Sequence, residues 1–507
     1  MKSIFHYTTI IVLILASCTP ARKTTTGDDG KISINFVQVN DVYEIAPLAG
    51  GKEGGMARVA TIKKKYLRQN PNTFLVMAGD FVSPSVYNSL KYQGKSIRGK
   101  QMIEAMNAAQ TDLAVFGNHE FDIKEAELQE RINESQFQWI ASNTFHKQNN
   151  QVLPFAKINA TGSTPFPVSF IKTVKDADGT SARIGFIGLT LPFNKAAYVS
   201  YTNVLSTAKE LYNKLKDSVD VVIAITHQSM EEDELLAKEI PGLGAILGGH
   251  EHDQRFETVG HINITKAMAN AKSAYIITLA INKNIKAIKI STKLEKLNES
   301  VALDSTTNAV VQRWVNIAES SYASLGFDAK KIVLNSGEPL DGRETEVRSR
   351  STNLTRLIVN AIGDAAPGAD VVVMNAGSIR VDDILQMPVT QYDIIRSLPF
   401  GGSIREVEMK GALLIEVLEQ GSKNKGIGGY LHYNDAVRYD ESSHVWNLKN
   451  IPIDSLKTYR MALPDFLLTG GEANLGFLKP DNTGIVKVFS DPASDIRLAI
   501  IKFLEKE

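Results

Sequence analysis

Cysteine is almost missing from this chain: Cys18 is the single one in 507 residues, so no internal disulfide can form. Net charge is missing as well. Lys plus Arg and Asp plus Glu each number 56, which leaves no overall field to attract a nucleic acid polymer or an anionic membrane surface. Small substrates suit such a chain better than polymers. Beyond the N-terminus there is no segment long and apolar enough to span a bilayer, and there are no internal repeats. What is present is an apolar fraction of 43% with 22% charged residues, the balance of a folded chain and not of a disordered one. This length is too great for one ordinary core, and two domains are expected.

The first eighteen residues stand apart. Lys2 gives a positive start, IIVLILAS a short apolar stretch, and Leu15-Ala16-Ser17-Cys18 closes it. This resembles a bacterial lipoprotein signal (1–18), which implies that Cys18 becomes a lipidated first residue. The other reading is an ordinary cleaved signal peptide with a chance cysteine. Residues 19–30, TPARKTTTGDDG, are small and polar, as a tether would be. The expectation is an exported protein, lipid-anchored to a bacterial membrane in the periplasm or at the cell surface.

From residue 31 to about 300, short β-branched and aliphatic runs alternate with helical patterns such as Met56 to Leu67, Met102 to Ala109 and Ser206 to Leu215. AYIITLAI and IKAIKIST form an expected hairpin joined by Asn282-Lys283-Asn284. A helix from Ser305 to Tyr322 is expected to bridge the domains within residues 301–331. A second α/β block, 332–507, contains a helix from Asn353 to Asp364 and the strands ADVVVMNAG and SIREVEM.

Five apolar runs in the first block end on metal-ligating residue types. FVQVN leads to Asp41, FLVMAGD to Asp80, DLAVFGNHE to Asn118 and His119, VVIAITH to His227, and AILGGHEH to His250 and His252. Parallel α/β sheets bind ligands beyond the carboxyl ends of their strands, so these residues are expected at one edge of one sheet. Asp and His suit Zn, Mn, Co or Fe, and a carboxylate can bridge two ions.

The ordered set Asp41, Gly79-Asp80, Gly117-Asn118-His119-Glu120, His227 and Gly248-Gly249-His250-Glu251-His252 resembles the metallophosphoesterase superfamily. GNHEFD, ending at Asp122, is similar to the 5′-nucleotidase family. That resemblance implies a four-layer α/β/β/α catalytic domain and two divalent metal ions. Asp80 would bridge them, with Asn118, His227 and His250 completing one site and Asp41 with His252 holding the other. His119 and Asp122 would be the catalytic pair. One position departs from the pattern: the family has Asp-x-His where this chain has Asp41-Val42-Tyr43. A phenolate suits a hard, oxidised ion, whereas a neutral phenol is a poor zinc ligand.

The second block resembles the family's substrate-binding domain through Asn375-Ala376-Gly377-Ser378-Ile379-Arg380, Pro399-Phe400-Gly401 and Phe466 to Glu472. By that resemblance Phe400 and Phe466 would clamp a nucleobase, and Arg343, Arg348 and Arg380 would engage phosphate. Glu472 would reach the ribose, and Asn375 and Gly377 would serve base or backbone recognition. A small-molecule nucleotide is the implied substrate and a monomer the expected state. The implied activity is removal of a 5′-phosphate. Relatives sharing these motifs also include 2′,3′-cyclic phosphodiesterase/3′-nucleotidases and UDP-sugar hydrolases. A non-enzymatic alternative is a nucleotide-binding lipoprotein whose metal centre Tyr43 has disabled.

Overall fold

The run KISINFVQV forms the strand Lys31–Val39, buried from Ile34 onward because both of its faces are covered. It pairs in parallel with Thr73–Ala78, which pairs in turn with Leu113–Val115 and then Gln138–Trp139. Antiparallel strands Ser273–Asn282 and Ala287–Lys296 complete this six-stranded sheet. A second six-stranded sheet has Ser181–Thr190, Val221–His227, Ala245–Gly248 and Ile262–Lys266 in parallel, with antiparallel edges Phe170–Lys175 and Arg255–Val259. The computed structural model describes residues 27–149, 151–193, 196–489 and 493–506. Cys18, the signal segment and most of the tether lie outside the described residues, and no described helix is long and apolar enough to cross a membrane.

The two sheets pack face to face, with Ile34, Phe36 and Val76 meeting Ile184, Phe186, Ile223 and Leu247 in a shared core. Helices Met56–Gln69, Lys100–Ala108 and Glu125–Glu134 cover the outer face of the first sheet. Val204–Leu215 and Met230–Glu239 cover that of the second. The result is the four-layer α/β/β/α arrangement. One expectation is corrected: the five ligand-bearing runs belong to two sheets, three to the first and two to the second. Strands buried on both faces carry no alternation that would assign them to one sheet or another. The hairpin also differs slightly, since pairing continues to Asn282↔Ala287 and the connection is residues 283–286.

Helix Ser305–Ser324 begins on Asp304, whose carboxylate accepts from the Thr307 N–H at 3.0 Å. Its buried residues Val311, Trp314, Ala318 and Tyr322 recur at helical spacing and pack on helices Met56–Gln69 and Lys100–Ala108. The Trp314 indole donates to Glu104 at 2.9 Å. Beyond it lies a second α/β unit. Its sheet runs Leu431–Tyr433, Val371–Asn375, Thr458–Pro464, Ser403–Lys410 and Ile485–Val488. Helix Gly411–Lys423 packs on one face, and Asn353–Ala365, Gln391–Ser397 and Ile496–Leu504 on the other.

Candidate metal centre and substrate cleft

The strand ends of both sheets converge on one point. Asp41 and Asp80 each follow their strand by two residues, while His227 is the last residue of its own. These three buried side chains each offer a ligand atom within 4.8 Å of the other two. His227 Nε2 lies 3.1 Å from Asp80 Oδ2, and His252 Nε2 lies 3.4 Å from Asp41 Oδ1. His250 joins through its backbone, whose N–H donates to Asp41 Oδ2 at 2.9 Å. Asp41, Asp80, His250 and His252 all hold positive φ, at 52°, 55°, 97° and 62°. Side chains other than glycine rarely occupy that region, and such strain persists where the surrounding structure enforces it. Gly117 is needed for close approach, since a Cβ there would fall 2.1 Å from Asp80 Oδ1.

The donor set fits metal ions. His227 donates from Nδ1 to the Ala78 carbonyl at 2.8 Å, which leaves the Nε2 lone pair for a cation. His227 Nε2 and Asn118 Oδ1 are both buried with no hydrogen-bond partner among the described residues. Buried polar atoms left alone are costly, and a cation between them removes that cost. Burial opposes a charge on His227, but Asp80 and Asp41 outweigh it and raise its pKa to about 9. The site thus draws positive charge into a buried place. Burial, aided by His227, pushes His250 down to about 4, so its imidazole stays neutral and able to ligate.

Two supporting residues escape a sequence reading. Glu120 accepts from the backbone N–H groups of Asp80, Phe81, Val82 and Gly117, at 3.0, 2.7, 3.0 and 2.6 Å. Burial and Asp80 push its pKa up, yet N–H donors fill all four acceptor positions and leave no place for a proton, so it is a carboxylate. It fixes the GD and GNH turns against each other. Lys266 is buried beneath the histidine loops and donates to the Gln228 carbonyl at 2.6 Å and to Glu251 at 2.5 Å, with Asp233 at 3.1 Å. It ties the loop after His227 to the one bearing His250 and His252. Glu120 sits inside GNHEFD and could have been singled out there; nothing local marks Lys266.

His119 and Asp122 are brought together, with Nδ1 2.6 Å from Asp122 Oδ2. The His119 N–H donates to Asp80 Oδ1 at 2.8 Å, tying the pair to the centre. Burial lowers the His119 pKa, but Asp80 and Asp122 together carry it above its ordinary value. Arg380 is close enough for its charge to oppose them, and its guanidinium has no hydrogen bond or ion pair to another described residue. It lines a small cavity with Tyr43 and Glu44. Burial, then Asp80 and Asp41, hold the Tyr43 phenol well above its usual range.

A cleft of about 620 Å³ opens over Asp80, His119, His250 and His252 and is closed opposite by Arg343, Asp382 and Asp383. Arg343 is tied to Asp341 at 2.7 Å, and Arg348 to Glu344 at 2.6 Å. The remaining substrate candidates form a separate pole. Asn375 donates to Glu472 at 2.5 Å, and the Gly377 N–H donates to the Gly428 carbonyl at 2.7 Å. Phe400 and Phe466 are 69% and 44% exposed and make no ring pair with one another. They do not line the metal-bearing cleft.

Comparison with known proteins matches residues 34–254 to the calcineurin-like phosphoesterase model and residues 332–478 to that of the 5′-nucleotidase C-terminal domain. The Homo sapiens 5′-nucleotidase is 24% identical over 83% of this chain and 78% of its own length. The snake venom 5′-nucleotidase of Crotalus adamanteus is 23% identical over 87% and 82%. The crystal structure of a 5′-nucleotidase precursor from Thermus thermophilus shares the fold with a TM-score of 0.68 at 20% identity, covering 94% of this chain and 96% of that one.

Proposed function

The chain belongs to the 5′-nucleotidase family, a calcineurin-like phosphoesterase domain joined to a 5′-nucleotidase C-terminal domain, and we therefore propose that it removes the 5′-phosphate from nucleotides, releasing nucleoside and phosphate. It is a metal-dependent phosphoester hydrolase. The observation that carries the reading is the buried Asp41, Asp80 and His227 cluster, whose Asp80 lines the cleft, with Asn118 Oδ1 buried without a hydrogen-bond partner among the described residues. The family uses two divalent ions. Asp80 would be shared between them, Asn118, His227 and His250 would complete one site, and Asp41 and His252 would belong to the other. Such a pair, when bound, supplies Lewis acidity to a phosphoryl oxygen and lowers the pKa of water.

The protein's own residues do the rest. Asp122 accepts from His119 Nδ1 and, with Asp80, favours the charged imidazole, which suits negative charge developing on the phosphoryl group. Arg380, with its guanidinium uncommitted, completes the cationic rim, and Arg343 flanks the cleft. Phe400 and Phe466 clamp the base, and Glu472, oriented by Asn375, takes the ribose hydroxyls. Because the clamp lies away from the cleft, turnover requires rotation of the C-terminal domain, with the hinge in residues 323–330 at the end of the linker helix. Lipidation of Cys18 would hold the enzyme at a bacterial membrane, where nucleotides are dephosphorylated outside the cytoplasm.

Phosphate release from AMP, 3′-AMP, 2′,3′-cyclic AMP, ATP and UDP-glucose, with Zn, Mn, Co or Fe supplied separately, tests this reading. Preferential AMP turnover abolished by chelator and by His119→Ala is the expected result. Turnover of 2′,3′-cyclic AMP or UDP-glucose in its place would move the assignment to those activities. Nucleotide binding without turnover under every metal would make the protein a binder.

A further inference from the structure

The hairpin tip at residues 283–286 lies at the far end of the catalytic domain from the metal centre. Strand Lys31–Val39 begins beside this tip, and from Lys31 to Asp41 the chain covers roughly 30 Å. Every residue from 283 to 289 is exposed, Ile285 by 70% and Ile288 by 38%. An open groove of about 400 Å³ continues from them, lined by Ala280, Ile281, Ala287 and Ile288 together with Lys31 and Lys289. One exposed isoleucine is ordinary, but an apolar tip running into an apolar groove, with lysines on both sides, has the composition of an interfacial anchor. The tip also grips the tether. The Lys283 N–H donates to the Gly30 carbonyl at 2.7 Å, and Asn284 Nδ2 donates to the Asp29 carbonyl at 2.8 Å.

Resting on the lipid anchor at Cys18 proposed above, we propose that this tip is the membrane-facing surface of the protein. Ile285 and Ile288 enter the headgroup layer of the bilayer, Lys286 and Lys289 meet lipid phosphates, and the metal centre points to the aqueous side. The chain from Cys18 to Asp28 averages about 15–20 Å in reach and spans at most about 35 Å, so an anchored lipid keeps the tip within contact of the surface. At the local concentration that such a tether gives, a weak apolar contact is enough to set orientation. Asp28, Asp29 and Asp178 stand close by, and Lys283 is paired with Asp220 at 2.7 Å, so apolar insertion and not a strong field carries the contact. The C-terminal domain meets the catalytic domain at the opposite pole, through Asp382 on His252 and Asp383 on Lys272, and it therefore rotates clear of the bilayer.

Full-length lipidated protein in vesicles of phosphatidylethanolamine and phosphatidylglycerol tests this. Lipid occupies Cys18, the one native cysteine, so Ile285→Cys carries a single reactive thiol for an environment-sensitive dye. A blue shift and loss of most emission to a nitroxide lipid labelled at its headgroup are expected there, while a dye at Leu235→Cys, exposed on helix Met230–Glu239, keeps its emission. A dye at Lys286→Cys should lose both effects when Ile285→Asp and Ile288→Asp are added. Protein that floats with the vesicles but shows no shift at residue 285, equal quenching at 285 and 235, or a shift at 286 that survives both Asp substitutions would each overturn the proposal and leave the lipid anchor standing. Mature protein without lipid mass on Cys18 would remove the anchor and the proposal together. Phosphate release from AMP is expected to be the same in all these variants, so the nucleotidase reading is judged separately.

Discussion

Asp382, on the C-terminal domain, pairs with Nδ1 of His252, on the catalytic domain, while His252 presents Nε2 to Asp41 and Tyr43. A carboxylate behind an imidazole fixes its orientation and raises its strength as a ligand, and here that carboxylate comes from the other domain. Asp382 is itself placed by the Glu344 backbone N–H. With His252 as a ligand, as proposed above, metal binding and domain position would be linked: rotation that carries Asp382 away would also release His252. Asp382→Asn should weaken metal retention by about 10–100-fold. Chelator competition followed by metal analysis checks this, and unchanged retention would remove the link.

The four N–H groups gathered by Glu120 make it the brace of the GD and GNH turns. Glu120→Gln replaces one acceptor oxygen with an NH2 that faces two N–H donors. Loss of about 2–4 kcal/mol of stability is expected from the buried donors left unpaired. Thermal or denaturant melts of the metal-free protein would show it. Equal stability of the two forms would mean that the turns hold themselves.

Phe400 and Phe466 present exposed rings that make no ring pair with one another, and both are proposed above to hold the base. Phe400→Ala and Phe466→Ala should each raise KM for AMP by an amount equal to about 1–3 kcal/mol of stacking, or about 5–150-fold. Hydrolysis of p-nitrophenyl phosphate, which carries no nucleobase, should change little. If both substrates lose equally, the rings serve the fold of the domain and not base recognition.

Much of the metal centre was legible because each ligand follows a buried apolar run, and burial of a run and its polar terminus are both local features. Asp41, Asp80 and His227 come together as those runs imply. The division of the strands between two sheets was not legible, because pairing is set by packing over long sequence distances. Lys266 and Asp382 were invisible for the same reason: each acts on a histidine loop that its own neighbourhood in sequence does not contain. Phe400 and Phe466 could be named as candidates, but their separation from the cleft depends on how two domains meet.

Acid should weaken the C-terminal domain through His432. Its ring is buried beside Tyr430, with Nε2 2.8 Å from the Val347 carbonyl. Burial, partly offset by that carbonyl, lowers its pKa from 6.5 to about 4. A base with a depressed folded pKa binds protons more readily when unfolded. Its contribution is therefore intact above pH 6.5 and is lost as pH falls toward about 4, with a limit of about 3 kcal/mol. His432→Gln keeps an N–H donor and removes the titration. Unfolding of wild type and variant, followed through Trp446 in the same domain, should diverge across that interval, the wild type losing more stability. Parallel curves from pH 7 to pH 4 would show that the acid sensitivity of this domain lies in other groups.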